Sequence, residues 1–566
     1  MRELMKIKNL LAIGLATMIV VFTSCREIDV VLPPKINLEQ TEYCVKPNRN
    51  LLIEPVVENS HPNAVYSWKL NGKVIGTEKD LTFNESELGT YFLTFRVVTE
   101  DGSDQKEVKV DVVELELPII GMEGGNDVTL ETGEKHLFKP EVSNKEGLKF
   151  SWVVDNKEVS TADEYTFVSN EEGIYFINLK ATNEDGEDEY LIKILVVKEA
   201  PLHISFPYPE QSASLGRTVR VIPTMPSTKS VTFQWFVNGE EDKGQVTDKF
   251  VYKPSALGKT DIKVVAKKGN KTGEATITLN TVNPEQHYRP ITASSSPYST
   301  KVFEFLPAPG QFINEGYTAY TMEEANQYAE NRLKSGSQYV SLGAFGGYIV
   351  VGFDHSIKNT GTWDFAIYGN SFAGSSEPGI VWVMQDENGN GLPDDNWYEL
   401  KGSETGKPGT VQDYEVTYYR PSAPKSNTLW TDNLGRKGEV DWLNFHQQDY
   451  YYPNWVKEDM YTLRGTCLES RTEDQSGQGT YWVNKEFDWG YADNFSPIDR
   501  LTDDINYSAS ANANHFQISN AITFDGKDIH LEYIDFIKVQ TGLNVKAGWL
   551  GENSTEVFRF MDIQVK

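Results

Sequence analysis

Cysteine is nearly missing from this chain: three in 566 residues. Cys44 and Cys467 lie near opposite ends of the sequence that follows Cys25, so no disulfide framework staples the fold. Two thiols with no histidines close in sequence cannot build a zinc site either. Positive charge is also scarce, with 53 Lys and Arg against 82 Asp and Glu and a formal net charge of -29. That balance excludes nucleic acid as a partner, because phosphate binding needs a basic footprint. It equally argues against docking on anionic lipid headgroups. After the first 25 residues no stretch of ~20 apolar residues remains to span a bilayer. No Gly-x-Ser-x-Gly elbow and no His-Glu-x-x-His helix appears, so nucleophilic and zinc-protease chemistry lack support and the chain reads as a non-enzyme.

What is present begins with Arg2, Lys6 and Lys8, followed by an almost unbroken apolar run from Asn9 to Phe22. Small residues Thr23 and Ser24 then lead into Cys25. A basic start, a short apolar stretch and small residues before a cut describe a secretory signal over residues 1–24. Cysteine at that cut resembles the lipobox of bacterial lipoproteins, although Phe22 departs from the usual Leu or Val. The resemblance implies lipidation of Cys25 and a tether over 25–36. An uncleaved membrane anchor is the alternative.

The middle of the chain repeats. Tyr66-Ser67-Trp68-Lys69-Leu70-Asn71-Gly72 recurs as Phe150-Ser151-Trp152-Val153-Val154-Asp155-Asn156 and as Phe233-Gln234-Trp235-Phe236-Val237-Asn238-Gly239, with the tryptophans 84 and 83 residues apart. Gly89-Thr90-Tyr91, Gly173-Ile174-Tyr175 and Gly258-Lys259-Thr260 follow, each opening an alternating strand. A fixed period of this size means tandem modules. Short period-2 runs broken by Asn-Gly turns predict antiparallel sandwiches, each with its Trp plugging the core. The repeats resemble PKD-like, immunoglobulin-like modules, placed at 37–115, 116–199 and 200–283. They read either as a stalk or as sugar-binding units, and the stalk is favoured because no cluster of exposed aromatics stands out in them. A Pro- and Ser-rich linker covers 284–299.

From residue 300 to 566 the character changes, and nine of the twelve tryptophans fall here. One helix is predicted at Met322 to Leu333, with Thr321 as cap and Glu324 three residues on. Short strands dominate the rest. The fold class is therefore all-β: three tandem Ig-like/PKD-like sandwiches, then a large β-sandwich or jelly-roll-like C-terminal domain with a minor helix.

Chemistry concentrates in that C-terminal lobe. Asp386, Asn388, Asn390 and Asp394, with Gly391 and the Leu392 carbonyl, match the first part of an EF-hand-type loop. Trp397 replaces the closing glutamate, so a structural calcium ion is expected without a full EF-hand, an ordinary acidic turn being the alternative. Gly369 to Gly379 is a polar loop that either lines a ligand site or merely connects two strands. Asp364, Glu377, Asp488 and Asp493 could include a glycosidase pair, which spacing alone cannot show. His355, His446 and His515 are candidate ligands for a metal or ordinary hydrogen-bonding residues. The wet aromatic segments carrying Trp442, His446, Tyr450, Tyr451, Tyr452, Trp455, Trp482 and Trp489 suit a planar guest with amides or hydroxyls at its edge, or else pack a large core.

The run Gly346-Gly347-Tyr348-Ile349-Val350-Val351-Gly352-Phe353, then Asp364-Phe365, Ser375-Ser376-Glu377-Pro378-Gly379, Trp397-Tyr398-Glu399-Leu400 and Ile534-Asp535-Phe536-Ile537-Lys538-Val539, resembles Bacteroidota-type surface lipoproteins that join PKD-like modules to a C-terminal globular domain. Within that class the chain is similar to the surface-exposed cobalamin-binding (BtuH-like) lipoproteins of vitamin B12 uptake loci. The resemblance implies an outer-membrane, surface-exposed, lipid-anchored protein that binds cobalamin as ligand. It would then hand the corrinoid to a TonB-dependent outer-membrane transporter. A glycan-binding surface lipoprotein is the alternative, and a carbohydrate-active hydrolase a third.

Overall fold

The computed structural model describes residues 32–501 and 513–565. The predicted signal segment and Cys25 lie outside the described residues. Within them the chain forms two compact units, one built from 32–126, 137–165 and 176–192, the other from 127–136, 166–175 and 193–565. No helix is long and apolar enough to cross a membrane among the described residues.

In the first module the alternating runs form a five-stranded sheet in the order Glu42–Val45, Gly102–Val112, Gly89–Thr99, Val65–Leu70, Lys73–Gly76. Leu93, Phe95 and Val97 on one long strand and Val108, Val110 and Val112 on its neighbour point inward, as the period of two dictates. Trp68 sits fully buried against Phe95, ring centroids 4.6 Å apart, and its indole N–H donates to the Lys79 carbonyl at 3.0 Å. The third module repeats this order with Glu210–Ser214, Lys271–Val282, Gly258–Lys268, Thr232–Val237 and Glu240–Asp242. Its Trp235 is likewise buried and donates to the Thr247 carbonyl at 2.7 Å. Trp152 does the same to Ala162 at 2.8 Å. Each tryptophan strand turns back through two left-handed residues: Asn71 and Gly72 at φ 49° and 81°, Asp155 and Asn156 at 47° and 63°, Asn238 and Gly239 at 48° and 87°. That is a type I′ hairpin, whose twist matches the flanking strands and which asks for Asn, Asp or Gly.

The C-terminal lobe places a six-stranded sheet beside two four-stranded ones. The six-stranded order is Lys301–Leu306, Tyr348–Lys358, Tyr533–Thr541, Gly379–Met384, Trp397–Leu400, Ala521–Ile522. The helix runs Met322–Ser335 and opens on a capping box, with Thr321 accepting from the Glu324 amide and Glu324 reaching back. With so little helix, large rings fill the space between sheets. Phe305, Tyr398, Tyr414, Tyr418, Tyr451 and Tyr452 are all buried. Fold class is thus all-β, with tandem sandwiches followed by further β layers.

The third module departs from the stalk expectation. Arg220 donates to Asp413 at 2.8 Å, Lys249 pairs with the same carboxylate at 2.9 Å, and Arg217 donates to Gln385 at 2.6 Å. Arg464 of the lobe pairs in return with Asp248 of the module. A spacer would leave these charges in water. Here they are half-buried and paired across the joint, so this module is part of the lobe's architecture.

Candidate functional site

Three neighbouring strands of the large sheet put Lys538, Trp382 and Glu399 side by side, because Lys538 registers with Trp382 and Trp382 with Glu399. In an antiparallel sheet such partners project on the same face, so an amine, an indole and a carboxyl form one row. The row floors a cavity of about 300 Å³. Trp397, Asp394, Asp395 and Phe524 wall it on the lobe side, and Phe206, Tyr208 and Arg220 of the third module close the other.

Lys538 lies among rings, its Nζ 4.8 Å from the Trp382 centroid, 5.0 Å from Trp397 and 5.8 Å from Tyr348. Ring faces attract the cation, but lost hydration outweighs them. Desolvation lowers the amine to about 8, with Glu304 and Glu399 pulling the other way. Burial raises Glu399 to about 7 even though Thr466 Oγ1 donates to it at 2.6 Å. Asp395 is raised to about 8, first by burial and then by Glu387. Several polar atoms here are buried without a hydrogen-bond partner among the described residues: Trp382 Nε1, Asp395 Oδ1 and Arg464 Nη1. Leaving such atoms unmatched costs about 1–3 kcal/mol each, so water or a bound molecule is their natural partner.

The predicted calcium loop forms the rim of this cavity. Asp386 is buried and accepts the amides of Asn390 at 3.1 Å and Gly391 at 2.9 Å, while Asp535 fixes the Asp386 amide at 2.8 Å. Asn388 Oδ1 accepts from Asn390 N at 2.8 Å, and Asn390 Nδ2 donates to Asp394 at 2.9 Å. Asp386, Asn388, Asn390 and Asp394 therefore share one small turn, with Leu392 on its outer side exposed. The donor set is all oxygen and suits a hard cation.

The expected aromatic segments divide. Tyr451, Tyr452 and Trp455 are buried in the lobe, which corrects their assignment as ligand contacts: Tyr452 packs edge-on to Tyr461 at 5.0 Å and Trp455 against Phe305 at 5.8 Å, with no face left for a guest. Trp442 is half-buried, its Nε1 donating to Gln448 O at 3.0 Å, and His446 bonds Glu315 at 2.7 Å. Tyr450, Trp482 and Trp489 are also half-buried. Trp482 packs closely against Gly548, where a Cβ would come within 2.1 Å of its Nε1, and the neighbouring Trp549 is 56% exposed. His355 is buried between Asp354 and Asp562 at 2.6 and 2.8 Å, a structural role. Glu377 and Asp493 do come together, but Asp493 is wholly buried and holds three backbone amides, so it faces no cleft as a hydrolase carboxylate must. The cavity row was not singled out from sequence as a ligand site. The available signal was one lysine and one tryptophan inside otherwise apolar strands, and only register reveals that they adjoin.

The PKD-like domain family matches residues 33–99 and 124–183. Modules of this kind are typically non-catalytic binding or structural units. Among solved structures, the I-band fragment I67–I69 from titin aligns at 14% identity over 44% of this chain and 98% of its own, TM-score 0.20. Three N-terminal domains of the bacteriophage RB49 outer capsid protein Hoc align at 15% identity over 44% and 98%, TM-score 0.25. The fibronectin(III)-like modules of Clostridium thermocellum CbhA align at 17% over 30% and 98%, TM-score 0.20. No curated protein matches the chain. What the chain shares with a named family is thus its PKD-like modules, over the two matched segments.

Proposed function

We propose that the chain is a non-catalytic capture protein at the cell surface, and that its ligand, a sugar ring or short glycan, seats between the third module and the lobe. The supporting observation is the Lys538–Trp382–Glu399 row with Trp397 beside it and unpartnered polar atoms around it. Indole faces cover the apolar faces of a pyranose, while carboxyl, amine and guanidinium groups meet its hydroxyls. At about 300 Å³ the cavity sits at the low end of ligand pockets, too small to enclose a corrin. In this reading calcium at Asp386, Asn388, Asn390, Leu392 and Asp394 stiffens the rim.

The corrinoid reading keeps a separate observation in its favour. Tyr481 and Trp549 are 60% and 56% exposed, each next in sequence to one member of the close Trp482–Gly548 contact. A corrin could rest there before transfer to a TonB-dependent transporter, on a protein anchored to the outer membrane through Cys25. Titration calorimetry with a glycan panel and with cyanocobalamin separates the two. Trp397→Ala is expected to abolish glycan binding and spare any corrinoid response, and Trp549→Ala the reverse. Wild-type protein that binds no glycan on the panel removes the first reading.

A further inference from the structure

A second group of acids lies apart from both the cavity and the Asp386 loop. Glu377 precedes the strand Gly379–Met384, Asp493 follows an aromatic turn, and Glu556 sits on the short strand Glu556–Val557. One carboxylate oxygen from each falls within 4.8 Å of the other two. Oxygens on opposite sides of a calcium ion stand about 4.8 Å apart, twice the ~2.4 Å metal–oxygen distance.

Burial makes this gathering expensive. Asp493 and Glu556 are buried and Glu377 half-buried, yet none of the three is ion-paired among the described residues. Buried charges normally pair or bind metal. Glu556 Oε1 has no hydrogen-bond donor among the described residues, although its residue is 98% buried and its carboxyl lies against Glu377 and Ser554. Asp493 is held from behind: Oδ1 accepts the amides of Asn370 and Ser371 at 2.8 and 2.9 Å, and Oδ2 the amide of Glu556 at 2.9 Å.

The Asn370 side-chain amide closes the outer edge of the group, its Nδ2 donating to Asp493 Oδ1 at 3.1 Å and Oδ2 at 3.3 Å.

We propose that Glu377, Asp493 and Glu556 bind a calcium ion. Three carboxylates, each able to bind through one or two oxygens, together with water supply the six to eight oxygens calcium takes, without the strict octahedron magnesium demands. Half-buried Glu377 leaves the entry path. The ion would tie together three segments distant in sequence, at 377, 493 and 556. The competing account is a cluster that stays buried by sharing protons, since burial and mutual repulsion push Asp493 and Glu556 well above the usual carboxylate range.

The test uses the full chain, stripped with chelator and titrated with calcium chloride at neutral pH by calorimetry, with thermal unfolding in parallel. Asp386→Asn removes the loop as a contributor. In that background the protein is expected still to bind calcium and to gain unfolding temperature. Adding Glu556→Gln should weaken that remaining binding roughly tenfold or more. A calcium response unchanged by Glu556→Gln overturns the proposal, as does an Asp386→Asn protein that no longer binds calcium. Should Glu556→Gln lose its near-UV circular dichroism, Glu377→Gln carries the test, and unaltered affinity there counts against the site.

Discussion

The first and third modules share one sheet order and one buried tryptophan, yet they sit in different company. Around the first module charges stay in water: Lys35 and Glu58 pair at 3.4 Å with side chains 63% and 53% exposed. The third turns Arg217, Arg220 and Lys249 onto the lobe and lends Phe206 and Tyr208 to the cavity. One sandwich therefore does two jobs, and the difference lies in surface side chains the fold does not specify. Function here is grafted onto a repeated scaffold rather than inherited from it.

The largest expected break in that comparison comes from the tryptophans. Trp68→Ala and Trp235→Ala each remove a buried ring and are expected to cost about 3–5 kcal/mol. Differential scanning calorimetry should show both losses. Ligand titration should show only the second abolishing binding, because only the third module walls the cavity. Equal loss of binding in both would erase the distinction between the modules.

A smaller effect separates their ion pairs. Arg220→Ala leaves the half-buried Asp413 carboxylate to Lys249 alone and, by removing one charged hydrogen bond, is expected to cost about 1.5–3 kcal/mol in urea denaturation. Lys35→Ala removes an exposed pair and should stay within about 0.5 kcal/mol. A Lys35→Ala loss as large as that of Arg220→Ala would mean that the third module's contacts carry no special weight.

The finest contrast is in pH dependence. Glu399 at about 7 and Asp395 at about 8 are raised in the folded state, so it binds more protons than the unfolded chain between pH 4 and 8. Their contribution is full below pH 4 and is lost as pH rises toward 8. Lys538, lowered to about 8, reverses the slope above that point, because the unfolded lysine stays protonated to about 10.5. Unfolding of the lobe and third module, followed by hydrogen exchange, should therefore be easiest near pH 8. Asp395→Asn should flatten the acid limb. The first module, none of whose acids is buried, should show little of this dip, and a matching dip there would contradict the assignment to the cavity.

Much of this protein was legible before its fold was seen. The tryptophan repeat, the Asn-Gly hairpins and the Thr321–Glu324 capping box are local signals, and each appears in the structure as its spacing implies. Tyr451, Tyr452 and Trp455 were misread because a wet, aromatic run looks alike whether it binds a guest or fills a core. The hydroxyls of Tyr451 and Tyr452 find backbone carbonyls at Leu443 and Glu458, which lets polar rings go inside. The acids of the 377–493–556 cluster, like the Lys538–Trp382–Glu399 row, come from segments far apart in sequence.

The chain by itself determined everything carried by neighbours a few residues apart: strand period, turn handedness, helix cap, the tandem modules and the oxygen-rich loop. Only tertiary packing decided which module would be load-sharing, which rings would be hidden and which acids would meet. The reason is physical: secondary structure is set by local sterics and hydrogen bonds, whereas a site is set by the register of strands hundreds of residues apart, and no local pattern encodes that register.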